Sequence, residues 1–322
     1  MPAAATLAAI PATHTAPSVE LADIIRRYGR AYQREYHPHC LQVKVMNAIA
    51  SCRTKALGGH VDYCGKCGYE RYTYNSCRNR HCPKCQSLAK AQWLEDRKAE
   101  LLPVPYFHSV FTLPHELNAL VMWNKEKLLK LLFDAAAQTL LTFGRNNLGG
   151  QVGFSMVLHT WDQHLRPHFH VHAIIAGGAL DSEKDRWIAA STKFLFAVRA
   201  LSKTFRGKFM DELKRLYKKG SLRFPGAPDA AATAKNFQAL TDALWSKEWI
   251  VYMKAPFADA ETALDYLGRY TQRVGISNDR ILASGAPRID CTRLTCENVV
   301  VLVEQIGLPY CVWYRVCYQP RR

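Results

Sequence analysis

Between Cys52 and Cys85 the chain places Cys52, His60, Cys64, Cys67, Cys77, His81, Cys82 and Cys85, eight soft or borderline metal ligands within 34 positions. A segment so rich in cysteine buries little apolar core by itself, so it needs a staple to fold. The cysteines are bunched beside histidines, which favours metal over disulfides and fits a reducing compartment. Two C-x-x-C pairs, Cys64/Cys67 and Cys82/Cys85, have the spacing by which a turn offers two thiolates to one tetrahedral zinc. The spacing therefore predicts a structural Zn2+ on Cys64, Cys67, Cys82 and Cys85. Cys52, His60, Cys77 and His81 either close a second zinc site or stand around the first. The blander alternative makes Cys52 and Cys77 small buried hydrophobes and the two histidines surface residues. In every version four protein ligands leave no open position on the metal, so the role is structural. Arg78, Arg80, Lys84 and Lys90 flank the second knuckle, either to grip phosphates or as solvated charge.

Apolar residues at helical spacing over residues 21–50 predict two helices leading into this knot, broken at His37-Pro38-His39, with a polar helix over residues 86–102 leading out. Pro105 to Leu113 reads as a strand and residues 117–143 as helix. Val152 to Thr160 and His168 to Ile175 read as a strand hairpin. A helical region over residues 194–219, a Pro/Gly/Ala linker from Gly220 to Lys235, a short strand from Trp249 to Lys254 and a helix from Glu261 to Val274 complete the pattern. The divisions expected are a loose tail at 1–20, a zinc-binding domain at 21–100, a second domain at 101–282 and an atypical end at 283–322.

The 43 Lys and Arg against 27 Asp and Glu give a formal charge of +16, which folding does not need and which attracts a polyanion, so nucleic acid is the expected partner. No apolar run approaches the roughly 18 to 20 residues that span a bilayer. Residues 1–20 lack the basic start and apolar stretch of an export signal, and a cytoplasmic, nucleoid-associated protein is expected. Lys203, Arg206, Lys208, Lys214, Arg215 and Lys218 cluster in the helical region after residue 194, as phosphate contacts or as a solvated face.

In Arg166-Pro167-His168-Phe169-His170-Val171-His172 three histidines alternate along a predicted strand, so they share one face. His170 and His172 are the strongest metal candidates. His159, near the end of the preceding strand, becomes a third ligand if hairpin pairing brings it alongside; His168 is a weaker addition. Three imidazoles leave open positions for water or phosphate oxygens, which distinguishes a catalytic from a closed site. Imidazole ligands alone suit Zn, Mn, Co or Ni better than Mg, so the residues leave the ion open. Tyr266 and Tyr270 lie four apart and share a helical face, with Arg269 and Arg273 beside them. A tyrosine hydroxyl can attack phosphorus when a metal polarises the phosphate and cations stabilise developing charge. Taken alone, such a pair is more often half-buried packing.

Taken together, these segments resemble the bacterial rolling-circle transposases of the insertion-sequence 91 type, a branch of the HUH endonucleases. The resemblance is carried by Cys52 to Leu57 with Gly58-Gly59-His60, by Ser76 to Gln86, by Leu158-His159-Thr160-Trp161 followed by His168 to Gly178, and by Tyr266 to Asn278. It covers residues 21 to 282. It implies an α+β chain: an N-terminal helical zinc-binding module, then a nuclease domain whose central antiparallel sheet is flanked by helices. It also implies His170-Val171-His172 as the metal motif, Mg2+ or Mn2+ as the ion, and Tyr266 and Tyr270 as nucleophiles. The substrate implied is single-stranded DNA at transposon ends and targets, cut through a 5′-phosphotyrosine. Strand separation is expected from a host helicase or the replication machinery. After Ile281-Leu282 the chain departs from the pattern and brings Cys291, Cys296, Cys311 and Cys317, for which a frameshifted or truncated copy is the expected explanation. The rivals are a plasmid replication initiator with the same site, a non-catalytic zinc DNA-binding protein, and a zinc hydrolase that would not need the tyrosines.

Overall fold

The computed structural model describes residues 19–162, 166–181, 183, 185–191, 193–224, 230–257, 259–268, 277–278, 281–285, 288–291, 294–296 and 313–316. Two compact units emerge, one of the described residues up to 85 with those between 274 and 307, the other of those in 86–273 and beyond 308.

The first unit starts with the two predicted helices, α1 (Leu21–Tyr36) and α2 (Cys40–Ser51). His37 closes α1 in the left-handed region, at φ 45°, and His39 caps α2 by accepting from the Leu41 amide. Both breaks suit Pro38, which disfavours helical backbone in the residue before it. Ile24, Ile25, Met46 and Ile49 are buried. The predicted knot contains an element that its composition hid, the antiparallel ribbon of β1 (Gly59–Tyr63) and β2 (Glu70–Tyr74). Next comes α3 (Pro83–Lys98), with proline at its first position, where the missing amide costs nothing.

The second unit is built on β3 (Tyr106–Thr112), α4 (Asn118–Trp123), α5 (Lys125–Phe143), β4 (Phe154–Trp161) and β5 (Pro167–Ala176). A small hairpin, β6 (Gly178–Asp181) and β7 (Arg186–Ala189), precedes α6 (Val198–Lys218), α7 (Ala230–Trp245), β8 (Val251–Met253) and α8 (Ala260–Gly268). The α7 helix starts inside the predicted linker, because the Ala-rich run from Ala230 outweighs the Pro and Gly before it. The predicted extension of α8 to Val274 lies outside the described residues. Further along, β9 (Ile281–Gly285), β10 (Arg288–Cys291) and β11 (Leu294–Cys296) form an antiparallel sheet in the first unit. A last strand, β12 (Trp313–Val316), joins the second unit's main sheet, whose order is β12-β4-β5-β3-β8, antiparallel throughout.

Register decides what each face of that sheet carries. His159 stands opposite His170, and Val157 opposite His172; on the other side Val110 faces His172 and His108 faces Ile174. Side chains alternate, so His159, His170, His172, His108 and Val110 share one face while Leu158, Val171, Ala173, Phe107 and Phe111 share the other. The second face is apolar and holds the main core. The Phe111 ring meets Phe205 of α6 at 5.2 Å, and Trp249 meets Phe205 and Phe209 at 5.5 and 5.3 Å. A smaller cluster of Tyr106, Val157, Ile174 and Ala263 packs α8 on the histidine face. Among the described residues no helix is long and apolar enough to cross a membrane.

Phe111 is fully buried between the sheet and α6. Phe111→Ala is expected to lower the stability of the second unit by about 3–5 kcal/mol, read from the urea midpoint, whereas Lys208→Ala should stay within about 0.5 kcal/mol of wild type.

Candidate functional site

Two ligand clusters form among the described residues, and they differ in kind. In the first unit the sulfurs of Cys52, Cys77, Cys82 and Cys85 lie within 4.8 Å of one another. Cys52 Sγ and Cys77 Sγ each stand 3.6 Å from Cys85 Sγ. Sulfurs at the corners of a tetrahedron with Zn–S of about 2.3 Å stand about 3.8 Å apart, so the spacing fits one zinc. A disulfide, at about 2.05 Å, does not fit. The amides of Cys77 and Asn79 donate to Cys52 Sγ and Cys77 Sγ. Cys82 immediately precedes α3 and Cys85 sits in its first turn, where the helix dipole favours thiolates. Burial pushes the Cys77 thiol up to about 11 and the Cys82 thiol higher. At Cys85 burial pulls the same way, but hydrogen bonds from Cys52, Cys77 and Cys82 bring that thiol below its ordinary value. A bound cation removes the protons that burial otherwise retains.

This partition corrects the one that C-x-x-C spacing predicts. Cys82 and Cys85 are joined by Cys52 and Cys77, not by Cys64 and Cys67. The reason is the β1–β2 ribbon. Its base is closed by the Arg53 amide on the Asn75 carbonyl and the Asn75 amide on the Gly58 carbonyl, which holds Cys52 near Cys77. Its far end carries Cys64 and Cys67, five strand residues away, on the order of 16 Å. The alternative second set of Cys52, His60, Cys77 and His81 is corrected with it. His60 is exposed on β1, 4.0 Å from Asp62, and His81 is outside the cluster, with burial holding its imidazole down at about 4.

In the second unit His159, His170 and His172 converge, all buried, with ligand nitrogens within 4.8 Å. Cross-strand pairing supplies the third imidazole: His159 Nδ1 is 3.1 Å from His170 Nε2. His170 Nδ1 is 3.1 Å from the His168 carbonyl, which can only accept, so Nδ1 carries the proton and Nε2 presents a lone pair towards His159. Between those two nitrogens there is room for one proton or one cation. Nitrogens about 2.1 Å from an octahedral ion stand about 3 Å apart, so the pair fits a divalent ion. The His168 side chain, partly exposed, stays out of the triad although its ring lies 4.7 Å from that of His170.

Sequence reasoning missed His108. It lies on β3, opposite Ile174 and therefore diagonal to His172 on the same face, and its Nε2 is 3.0 Å from His172 Nδ1. Burial, with Lys254 nearby, holds its imidazole down at about 4, so the ring is neutral. The alternation Tyr106, His108, Val110, Thr112 was legible; the register that aligns it with the histidine strand was not.

Tyr266 of α8 reaches the same place. Its ring meets the His108 ring edge-on, with centroids 4.8 Å apart, and Phe257 at 5.4 Å. Tyr270, Arg269 and Arg273 lie outside the described residues. The basic residues of α6 sit elsewhere, since that helix packs on the apolar face of the sheet, away from the histidines. Arg206 is committed to structure: Nη1 donates to the Trp245 and Lys247 carbonyls, and its guanidinium covers the Trp245 ring. Lys214 stands over the same ring, and Arg215 pairs with Glu212. Lys208 and Arg215 line a groove of about 560 Å³ with Lys127 and Lys130, opposed there by Asp134, Asp211 and Glu212. Lys203 and Lys218 lie outside that groove's lining.

The family model described as "Putative transposase" matches residues 153–292, past the departure expected at Leu282, and "Transposase zinc-binding domain" matches residues 24–113. "Putative transposase y4qJ" of Sinorhizobium fredii is 47% identical over 266 residues, covering 82% of this chain and 67% of the relative. "Transposase for insertion sequence element IS801" of Pseudomonas savastanoi pv. phaseolicola is 29% identical over 243 residues, covering 75% and 57%. The chain thus spans about two thirds of the first relative's length and 57% of the second's. Among solved structures, the conjugative relaxase TrwC in complex with mutant OriT DNA overlaps at a TM-score of 0.29 and 20% identity, over 42% of this chain and 56% of that one. That likeness is too slight to bear on the site.

Cys77→Ser is expected to strip zinc from the purified protein, while Cys64→Ser retains wild-type zinc, both read by mass spectrometry of the metal content. The reverse result would restore the partition that spacing alone suggests.

Proposed function

The chain belongs to the rolling-circle transposases of the insertion-sequence 91 type, and from that premise we propose that it nicks and rejoins single-stranded DNA at a site formed by His159, His170, His172 and Tyr266. The observation that carries this reading is the convergence of three buried imidazoles on one sheet face, with a tyrosine ring reaching them by way of His108. A closed zinc site such as the four-cysteine cluster has no position to give a substrate. Three histidines do.

His159, His170 and His172 would hold a divalent ion, Mg2+ or Mn2+ as the family resemblance implies, which would neutralise charge on the phosphate. The protein's own residues do the rest. His170 is fixed by its bond to the His168 carbonyl, and His159 is fixed by pairing across the hairpin, so the cation's place is set before substrate arrives. Tyr266 stands on α8, which packs on the same face, in position to approach a phosphorus held there. Attack by the phenol oxygen forms a P–O bond to tyrosine and breaks the bond to the 3′ oxygen, which leaves as a hydroxyl. The product is a 5′-phosphotyrosine. One phosphoester replaces another, so the 3′-hydroxyl of a second strand can reverse the step without ATP. Tyr270 is assigned the second cleavage, which lets one end be held while the other is cut.

The zinc unit and the excess of +16 charge suit a single-stranded partner at transposon ends and targets, with affinity falling steeply as salt rises. Arg206 is no part of that interface, given its structural bonds. A plasmid replication initiator would share this chemistry, and membership of a transposase family favours transposition.

Tyr266→Phe should lower covalent adduct formation on a single-stranded oligonucleotide by at least about 10³-fold, seen as loss of the slow-migrating band on a denaturing gel, and removing divalent ions with EDTA should do the same until Mn2+ is returned. An adduct persisting when both Tyr266 and Tyr270 are changed to Phe would sink the assignment.

A further inference from the structure

His108 is the least exposed member of the histidine face, on a strand that contributes no ligand to the triad. Its Nε2 lies 3.0 Å from His172 Nδ1, and the two rings stack with an interplanar angle of 9°. One of these nitrogens must donate and the other accept. If His172 gives the proton, its Nδ1 is protonated and its Nε2 carries the lone pair that a cation needs. If His108 gives it, His172 holds its proton on Nε2 and cannot ligate through that atom. A cation held at the triad selects the first arrangement. With Nε2 accepting, a neutral His108 carries its own proton on Nδ1, a buried nitrogen with no hydrogen-bond partner among the described residues. The His108 ring is bordered by the aromatic rings of Tyr266, Tyr252 and Phe257, at centroid distances of 4.8, 6.4 and 6.4 Å. Those rings lie edge-on or tilted to His108; the first arrangement is the one that leaves the His172 Nε2 lone pair for a cation, as a metal-ligating histidine needs.

We infer that His108 is a positioning residue, which accepts the Nδ1 proton of His172, fixes that ring in the ligating tautomer and keeps its Nε2 turned towards the cation. His108 itself ligates nothing. This role rests on the cleavage reading above, because it presumes a divalent ion at the triad. It also gives a role to a buried histidine placed between His172 and the tyrosine of α8.

The test uses the full chain with its zinc bound. In the metal-free triad of the wild type, 15N-resolved imidazole spectra should show His172 as the Nδ1–H tautomer. Mn2+ affinity, followed by the loss of free-ion EPR signal, should fall about 10- to 100-fold in His108→Ala, with zinc content unchanged. His108→Gln places an amide oxygen near the position of Nε2 and should recover most of that loss. His172→Ala should abolish binding at the triad and serves as the reference. A wild-type His172 protonated on Nε2 overturns the inference without any variant, which covers the case in which His108→Ala does not fold. Equal Mn2+ affinity in wild type and His108→Ala, or a His108→Gln variant as weak as the alanine, also overturns it and leaves the cleavage reading standing. Wild-type protein that takes up no more Mn2+ than His172→Ala defeats both.

Discussion

His159 stands directly opposite His170 across β4 and β5, and the chemistry of the second unit hangs on that pairing. A slip of one residue would turn every imidazole on β5 into the apolar core and bring Phe169, Val171 and Ala173 to the outer face. The core resists this. Phe111, Val171 and Leu158 fill the space against α5 and α6, and exchanging them for imidazoles would bury unpaired polar nitrogens. Hydrophobic packing on one face therefore fixes the register of the imidazoles on the other.

The two clusters show how coordination number separates structure from chemistry. Four thiolates saturate a tetrahedral ion and tie α2, the base of the β1–β2 ribbon and the start of α3 into one small unit with little apolar core of its own. Three imidazoles leave positions for phosphate oxygens, on a face where α8 presents Tyr266. The two ligand sets thus differ as a structural staple and an open metal site require, four soft thiolates in one and three imidazoles in the other.

Much of this was legible in the residues. Alternation along His168 to His172 gave the shared face, hairpin spacing gave His159, and the order of motifs gave the family. Local periodicity failed where three-dimensional pairing decides the outcome. C-x-x-C spacing paired two knuckles that the β1–β2 ribbon separates, because a ribbon whose strands are exposed and rich in tyrosine and charge has no apolar alternation to announce it. His108 escaped notice for a related reason: a lone histidine on a strand is usually packing, and only the β3–β5 register sets it beside His172. The basic run on α6 is open to reading as phosphate contacts or as a solvated face, and of its residues Arg206 is committed to the Trp245 and Lys247 carbonyls at the end of α7, on a helix that lies behind the sheet. Charge pattern carries no information about which face of a sheet a helix will cover.

The central claim is that three imidazoles of one sheet face hold a divalent ion beside Tyr266. An anomalous difference map from crystals of the full chain soaked in Mn2+ tests it most directly. The account expects a peak about 2.2 Å from His159 Nδ1, His170 Nε2 and His172 Nε2, distinct from the zinc among the four cysteines. A map with Mn2+ bound elsewhere, and with the three rings engaged only with one another, would contradict it.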